Sequence, residues 1–331
     1  MENPKLNIVE AINLALKQEM ERDPSVLIFG EDVGKDGGVF RVTDKLQAQF
    51  TEDRVFDSPL GESGIAGMAI GLAMYGFKPV VEVQFDGFYH QMLDQILQHA
   101  ARMRNRSRGR YSVPMVVRIP SGGGIKALEH HSESIETFIA HTPGLKVVYP
   151  STPYDAKGLL LAAIRDPDPV LFMEPKRLYR AIKQEVPTED YIVPIGVANV
   201  LQQGTDITVI AWGAMVREAQ AAIENLKTNP ETASYSVELI DLRTISPLDQ
   251  TTIFASVEKT GRLVIVQEAV KSFGPGAEIA ALVAEKLLYS LKAPIHRVAA
   301  PDITVPYLQA EHWYLPNAQQ IQKAITTVMA S

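Results

Sequence analysis

Two residues of this chain have both the type and the setting for chemistry: Glu62 and His131. Glu62 ends the short loop Ser58-Pro59-Leu60-Gly61 and opens the run ESGIAGMAIGLAM. An acid at a helix start is favoured by the helix dipole, and taken alone Glu62 needs no other explanation. The run behind it asks for more. Gly64, Gly67 and Gly71 recur at spacings of three and four, so they share one helical face. Glycine weakens a helix interior by roughly 1 kcal/mol relative to alanine, which predicts that another backbone approaches that face closely. Ile65, Met68, Ile70, Leu72 and Met74 make the run apolar all round and predict burial. It is well short of the roughly 20 residues that a membrane span needs. His131 lies in Glu129-His130-His131-Ser132, beyond the flexible triplet Gly122-Gly123-Gly124. Adjacent histidines suggest a metal, but one loop pair with no further spaced ligand is weak support. A loop histidine is more often a surface residue than a catalyst.

These residues need strands to place them. Val80–Phe85 reads as a buried strand with Asp86-Gly87-Phe88 at its carboxyl end, where ligands bind in open α/β sheets. Val26–Phe29 is a second strand, followed by Gly30-Glu31-Asp32-Val33-Gly34. The dinucleotide fingerprint G-x-G-x-x-G is absent there, and Glu31 and Asp32 would repel a pyrophosphate, which argues against a nicotinamide-dependent oxidoreductase. Met115–Ile119, Leu145–Tyr149 and Val170–Met173 continue the set of strands. Asn7 and Glu10 form a capping box ahead of a helix with Ile8, Ile12, Ala15 and Leu16 on one face. Tyr89 to about Arg104 reads as one helix, with arginines at 102, 104, 106, 108 and 110 toward its end. Those cations suit a helix C-terminus or an intersubunit surface. Thr152 caps a helix that starts at Pro153 and runs to about Ile164. Its carbonyl end, beside Asp166 and Asp168, has the oxygen chemistry of a hard-cation site, or is simply a Pro-rich turn.

Residues 1–183 form a first α/β domain, 184–195 a Pro-interrupted polar linker, and 196–331 a second, smaller parallel α/β unit with no acid–base constellation. At 331 residues, 46% hydrophobic and net charge −7, the chain has the bulk of a two-domain globular protein and disfavours nucleic acid as a partner. With no cysteine, disulfides, thiol catalysis and Cys-ligated zinc are excluded together. No signal pattern or membrane span is evident, so a cytoplasmic setting is expected, although a mature organellar protein would read the same way.

The run Phe56-Asp57-Ser58-Pro59-Leu60-Gly61-Glu62-Ser63-Gly64-Ile65-Ala66-Gly67 resembles the cofactor-activating segment of one family: the beta subunits of the thiamine-diphosphate-dependent decarboxylating component of 2-oxo acid dehydrogenase complexes. The likeness extends from about Leu6 to the C-terminus and includes DLRTISPLD and KTGRLVIVQEA. It implies a parallel-sheet pyrimidine-binding domain followed by a transketolase C-terminal-like domain. It also implies that Glu62 hydrogen-bonds the aminopyrimidine and favours the imino tautomer that deprotonates the thiazolium carbon. Leu60, Gln84 and Phe88 would line the cofactor, with Glu31 in an acidic passage between two distant sites. His131 would steady the substrate and assist acyl transfer. Met115, Ala163, Ile164, Asp166 and Asp168 map to a structural potassium site.

The chain has no G-D-G segment for Mg²⁺ and diphosphate. In this family the alpha subunit carries that segment, so the cofactor is expected between subunits of an α2β2 heterotetramer. The resemblance further implies docking to the peripheral-subunit-binding and lipoyl domains of an acyltransferase. Gly61–Gly64 and Phe88 resemble the pyruvate branch, whereas Glu174–Arg180 and Ala211-Trp212-Gly213 resemble the branched-chain one. Pyruvate is favoured. A 2-oxoisovalerate or acetoin dehydrogenase subunit is the alternative, and a catalytically silent assembly subunit is the alternative of another class.

Overall fold

The computed structural model describes residues 3–331. The capping box forms as the sequence predicts. The Asn7 side chain accepts the Glu10 N–H at 3.0 Å, the Glu10 carboxylate accepts the Asn7 N–H at 2.8 Å, and helix α1 (Ile8–Arg22) follows. The first unit then runs β1 (Val26–Gly30), β2 (Val55–Asp57), α2 (Glu62–Met74), β3 (Lys78–Glu82), α3 (Tyr89–Gln95), β4 (Val116–Ser121), β5 (Lys146–Val148), α4 (Pro153–Arg165) and β6 (Val170–Pro175). Six of these strands lie parallel in the order β5-β6-β4-β3-β1-β2. Thr152 caps α4 by accepting the Asp155 N–H, with Pro153 in the first turn.

Period-2 alternation divides the strands between two cores. Val26, Ile28, Val80, Val116 and Phe172 face α1 and α4. Phe29, Val81, Val117, Leu171 and Met173 face α2 and α3. Both cores continue into the second unit: β7 (Asn199–Gln202), β8 (Ile207–Ala211), α5 (Met215–Thr228), β9 (Val237–Asp241), β10 (Thr244–Ser246), α6 (Gln250–Thr260), β11 (Leu263–Val270), α7 (Pro275–Leu287), β12 (His296–Ala300) and α8 (Ala318–Met329). Its sheet order is β12-β11-β8-β9-β7. No helix among the described residues is long and apolar enough to cross a membrane.

Three expectations need correction. The second unit is not wholly parallel, because edge strand β7 runs antiparallel to β9. Strand β10 leaves that sheet altogether and closes the edge of the first by antiparallel pairing with β5. The helix expected from Tyr89 to Arg104 is interrupted. A π turn spans Ile96–Ala100 and a short separate helix spans Met103–Arg106, while Met92, Ile96 and Ala100 stay buried. Helix α2 is buried on one face only. Ile65, Ala66, Ala69, Ile70 and Ala73 are inside, whereas Met68 is 40% exposed and Met74 36%. The close backbone approach expected at the glycine face is not made within the described residues, which leaves that face for another chain: a Cβ added at Gly64 or Gly71 would meet nothing within 4 Å, and one at Gly67 only the Gln95 side chain at 3.8 Å. A run that is apolar all round gives periodicity no means of telling a core face from an open one.

Candidate active site

The carboxyl ends of four adjacent parallel strands, β2, β1, β3 and β4, build the site. The turn after β1 carries Glu31, and the loop after β2 carries Leu60 and Glu62. The segment after β3 carries Gln84, Phe85 and Phe88, and the long loop after β4 carries His131. This is where ligands are expected in an open α/β sheet.

Glu62 is the first residue of α2 and only 4% exposed, yet its Oε2 has no hydrogen-bond partner among the described residues. A buried carboxylate oxygen without a partner is costly, so this atom is suited to a donor from outside the chain. Glu31 lies beside it. The Glu31 Oε1 accepts the Gly61 N–H at 3.2 Å, which fixes the loop just before Glu62. Burial, together with the Glu62 charge, pushes the Glu31 carboxyl above its ordinary range. Leu60 is 84% exposed and touches little of its own chain.

His131 belongs to an aromatic group. Its ring centroid is 4.3 Å from Phe85 and 5.3 Å from Phe88, both edge-on, and 4.3 Å from His130. Gly87 permits this, since a Cβ there would lie 2.3 Å from the His130 carbonyl oxygen. Burial, then the neighbouring His130 and Lys176, hold the His131 imidazole below its ordinary pKa, which favours its neutral form. Its Nδ1 is buried and unpartnered. Among the described residues, no hydrogen bond or stacking contact joins Glu62 to His131. The link between them runs from Glu31 to its neighbour Asp32, which accepts from Gln84 Nε2 at 2.9 Å, and on to Phe85.

Charged residues absent from the sequence-derived site lie underneath. Fully buried Arg118 donates to both Glu174 oxygens at 2.7 and 2.9 Å and to Glu82 at 2.7 Å, and Tyr179 also donates to Glu174. Lys176 reaches Asp86 at 3.4 Å and the Pro120 carbonyl at 3.2 Å, with its ammonium 5.4 Å above the Phe85 ring. Burial pushes the Asp86 carboxyl up to about 7, against the attraction of Lys176. The signal for these residues was present in the sequence. Glu82, Arg118 and Glu174 are charges inside otherwise apolar strands, and such charges are rare unless paired. Glu174 and Trp212 were cues for the branched-chain reading. Both are core residues here, Glu174 holding Arg118 and Trp212 donating to the buried Glu136 at 3.2 Å.

The residues mapped to potassium lie close together but are engaged. Lys146 binds both Asp166 oxygens at 2.7 and 2.6 Å, and Arg104 binds Asp168 at 2.6 Å. The carbonyls of Met115 and Ala163 accept the N–H groups of Val170 and Asp166, and the Ile164 side chain is buried.

The sheet order, the second α/β unit and the site at the strand ends define a transketolase-like chain, and comparison with known proteins agrees. Residues 4–182 match the transketolase pyrimidine binding domain, and residues 196–321 match the transketolase C-terminal domain. A solved split-gene transketolase, described as an inactive beta4 tetramer, superposes with a TM-score of 0.78 over 99% of both chains at 19% identity, a likeness of fold. The chain belongs to the pyruvate dehydrogenase E1 component beta-subunit family of thiamine-diphosphate-dependent enzymes. The Acholeplasma laidlawii member is 57% identical, with 96% of this chain and 95% of that one covered. The Staphylococcus aureus member is 53% and the Bacillus subtilis member 50% identical, each with 98% of this chain and 99% of its own covered.

Proposed function

We propose that this chain is the beta subunit of a bacterial, cytoplasmic pyruvate dehydrogenase. It would bind the pyrimidine half of thiamine diphosphate and complete its site only against an alpha subunit, in an α2β2 heterotetramer. The observation that carries this reading is Glu62: a buried carboxylate with a free oxygen, on a helix whose Gly64 and Gly71 meet nothing among the described residues. Identity of 50–57% to proteins named as pyruvate dehydrogenase beta subunits supports the substrate. Intact Glu62 and His131 argue against a silent assembly subunit.

Bound thiamine diphosphate supplies the carbon nucleophile that decarboxylation of a 2-oxo acid requires. The chain's own groups orient it. Glu62 would exchange a proton with the pyrimidine ring through its free Oε2, while Glu31 fixes the preceding turn. Exposed Leu60 and the Phe88 ring give apolar walls, and Gln84 ties the wall after β3 to the turn after β1. His131, offering Nδ1, would steady the acyl oxygen and assist transfer of the acyl group to the lipoyl group of an acyltransferase, whose peripheral-subunit-binding domain would dock the heterotetramer. Mg²⁺ and the diphosphate fall to the alpha subunit, since no G-D-G segment occurs here.

The test is kcat/KM on pyruvate and on 3-methyl-2-oxobutanoate with the reconstituted heterotetramer. Pyruvate should be preferred by about tenfold or more, the scale of discrimination a pocket wall gives against extra methyl groups. Equal or reversed values contradict the substrate assignment.

A further inference from the structure

The loop carrying His131 begins with three glycines whose N–H groups are met by carboxylates from three separate elements. The Gly122 N–H is shared between Asp86 Oδ2 at 2.8 Å and the Glu133 carbonyl at 2.9 Å. The Gly123 N–H donates to Glu268 Oε1 at 2.6 Å. The Gly124 and Lys126 N–H groups donate to the two oxygens of Glu311 at 2.8 and 3.0 Å. Glu268 lies on β11 and Glu311 opens the short helix Glu311–Tyr314, so both come from the second unit. Both are buried, at 5% and 3% exposure.

The glycines are what let these acids reach the backbone. Gly122 and Gly124 have φ of +81° and +98°. A Cβ on Gly122 would lie 2.5 Å from Glu268 Oε1, and one on Gly123 3.0 Å from Glu311 Oε1. Hydrogen bonds from backbone N–H groups to carboxylates are about twice as strong as neutral ones. A buried carboxylate that loses such donors is left unsatisfied. Docking of the second unit and the conformation of the loop are therefore coupled. Arg177, with Nη2 3.7 Å from Glu268 Oε2, offsets part of the buried charge.

We propose that Glu268 and Glu311 are positioning residues for His131. The second unit clamps the glycine loop, and through it the imidazole, so that these two acids govern acyl transfer rather than cofactor binding. This deepens the reading of His131 given above and rests on it.

The test uses the heterotetramer reconstituted with Glu311→Gln, with Glu268→Gln, and with Glu285→Gln as an exposed control from the same unit. Amide hydrogen exchange across residues 121–131 reports the clamp without reference to activity. Exchange at Gly124 and Lys126 in Glu311→Gln, and at Gly123 in Glu268→Gln, should rise roughly tenfold or more, the scale of one lost charged hydrogen bond. The control should match wild type. The rate of acyl transfer to lipoyl substrate should fall about tenfold in both variants, with cofactor affinity and KM for the 2-oxo acid within about twofold. Glu311→Asp, which keeps the charge with a shorter reach, should recover part of both losses. Should Glu311→Gln fail to fold, Glu268→Gln carries the test alone. Unchanged exchange in the folded variants overturns the clamp, and faster exchange with unchanged acyl transfer overturns the positioning role. Absence of decarboxylation by the wild-type heterotetramer overturns the site assignment instead, and leaves the exchange result to judge the clamp.

Discussion

In the loop that carries His131, four backbone donors (at Gly122, Gly123, Gly124 and Lys126) find carboxylates of the same chain. Around Glu62 the contrast is clear: among the described residues Oε2 has no partner, Leu60 is exposed, and Gly64 and Gly71 of α2 face nothing. Both regions sit at the carboxyl ends of strands of the same sheet, so the fold does not account for the contrast. A loop whose backbone N–H groups are met internally can be preorganised by one chain, even though the His131 Nδ1 that it carries is left unpartnered. A side with an unpartnered buried oxygen beneath an open apolar helix face is arranged for what a second chain and a cofactor bring to it.

The largest expected effect comes from withholding that second chain. Alone, this subunit should bind thiamine diphosphate too weakly to detect by calorimetry and should show no decarboxylation. Adding the alpha subunit should restore both, because the open side is then completed. Tight binding of cofactor by the isolated chain would erase the contrast between the two sides.

On the self-sufficient side, Arg118→Met should be strongly destabilising. It leaves Glu82 and Glu174 as buried acids without their cation, a loss on the order of 3–5 kcal/mol when one partner of a buried ion pair is removed. Denaturant unfolding of wild type and variant measures it. A difference below about 1 kcal/mol would mean that the region under His131 is looser than its geometry implies.

A smaller effect concerns Glu136, buried between this region and Trp212. Burial is the main cause that pushes its carboxyl from 4.5 up to about 7. A raised carboxyl pKa means that the folded state keeps a proton the unfolded chain releases. The contribution to stability is therefore present below pH 4.5, declines as pH rises, and is fully lost above about 7. Glu136→Gln should flatten that decline, by roughly 1–3 kcal/mol across the window. Parallel stability–pH curves for variant and wild type would show that Glu136 does not titrate this way.

Much of the scaffold is written locally. The Asn7 and Thr152 caps and the apolar strands near residues 26, 80, 116 and 170 follow from short-range rules, and Ile207–Ala211 and Ala318–Met329 occur with the boundaries expected. Glu62 and His131 could be singled out only through the family resemblance of the contiguous segments that carry them, since alone they read as a helix-start acid and a loop histidine. The clamp could not. Glu268 meets Gly123 across 145 positions of sequence, and no periodicity links them. The same is true of Arg118 and Glu174, 56 positions apart, which pair only because β4 and β6 are sheet neighbours. The exposed face of α2 was illegible for a different reason: apolar residues on all sides look the same whether they meet a core or a partner.

The central claim is that Glu62 supplies proton chemistry rather than a helix-start charge. Hydrogen–deuterium exchange at the thiazolium carbon of thiamine diphosphate bound to the heterotetramer tests it most directly. Glu62→Gln keeps the shape and the helix while removing the exchangeable carboxyl proton. Exchange and turnover should both fall on the order of 10²-fold or more, the scale of a positioned acid–base group. The fold should change little, because a helix-start acid contributes only about 1 kcal/mol. His131→Ala should leave the exchange intact while acyl transfer to lipoamide drops. If the Glu62→Gln enzyme exchanges that proton as fast as wild type, Glu62 is a helix-start acid and the assignment of the site is wrong.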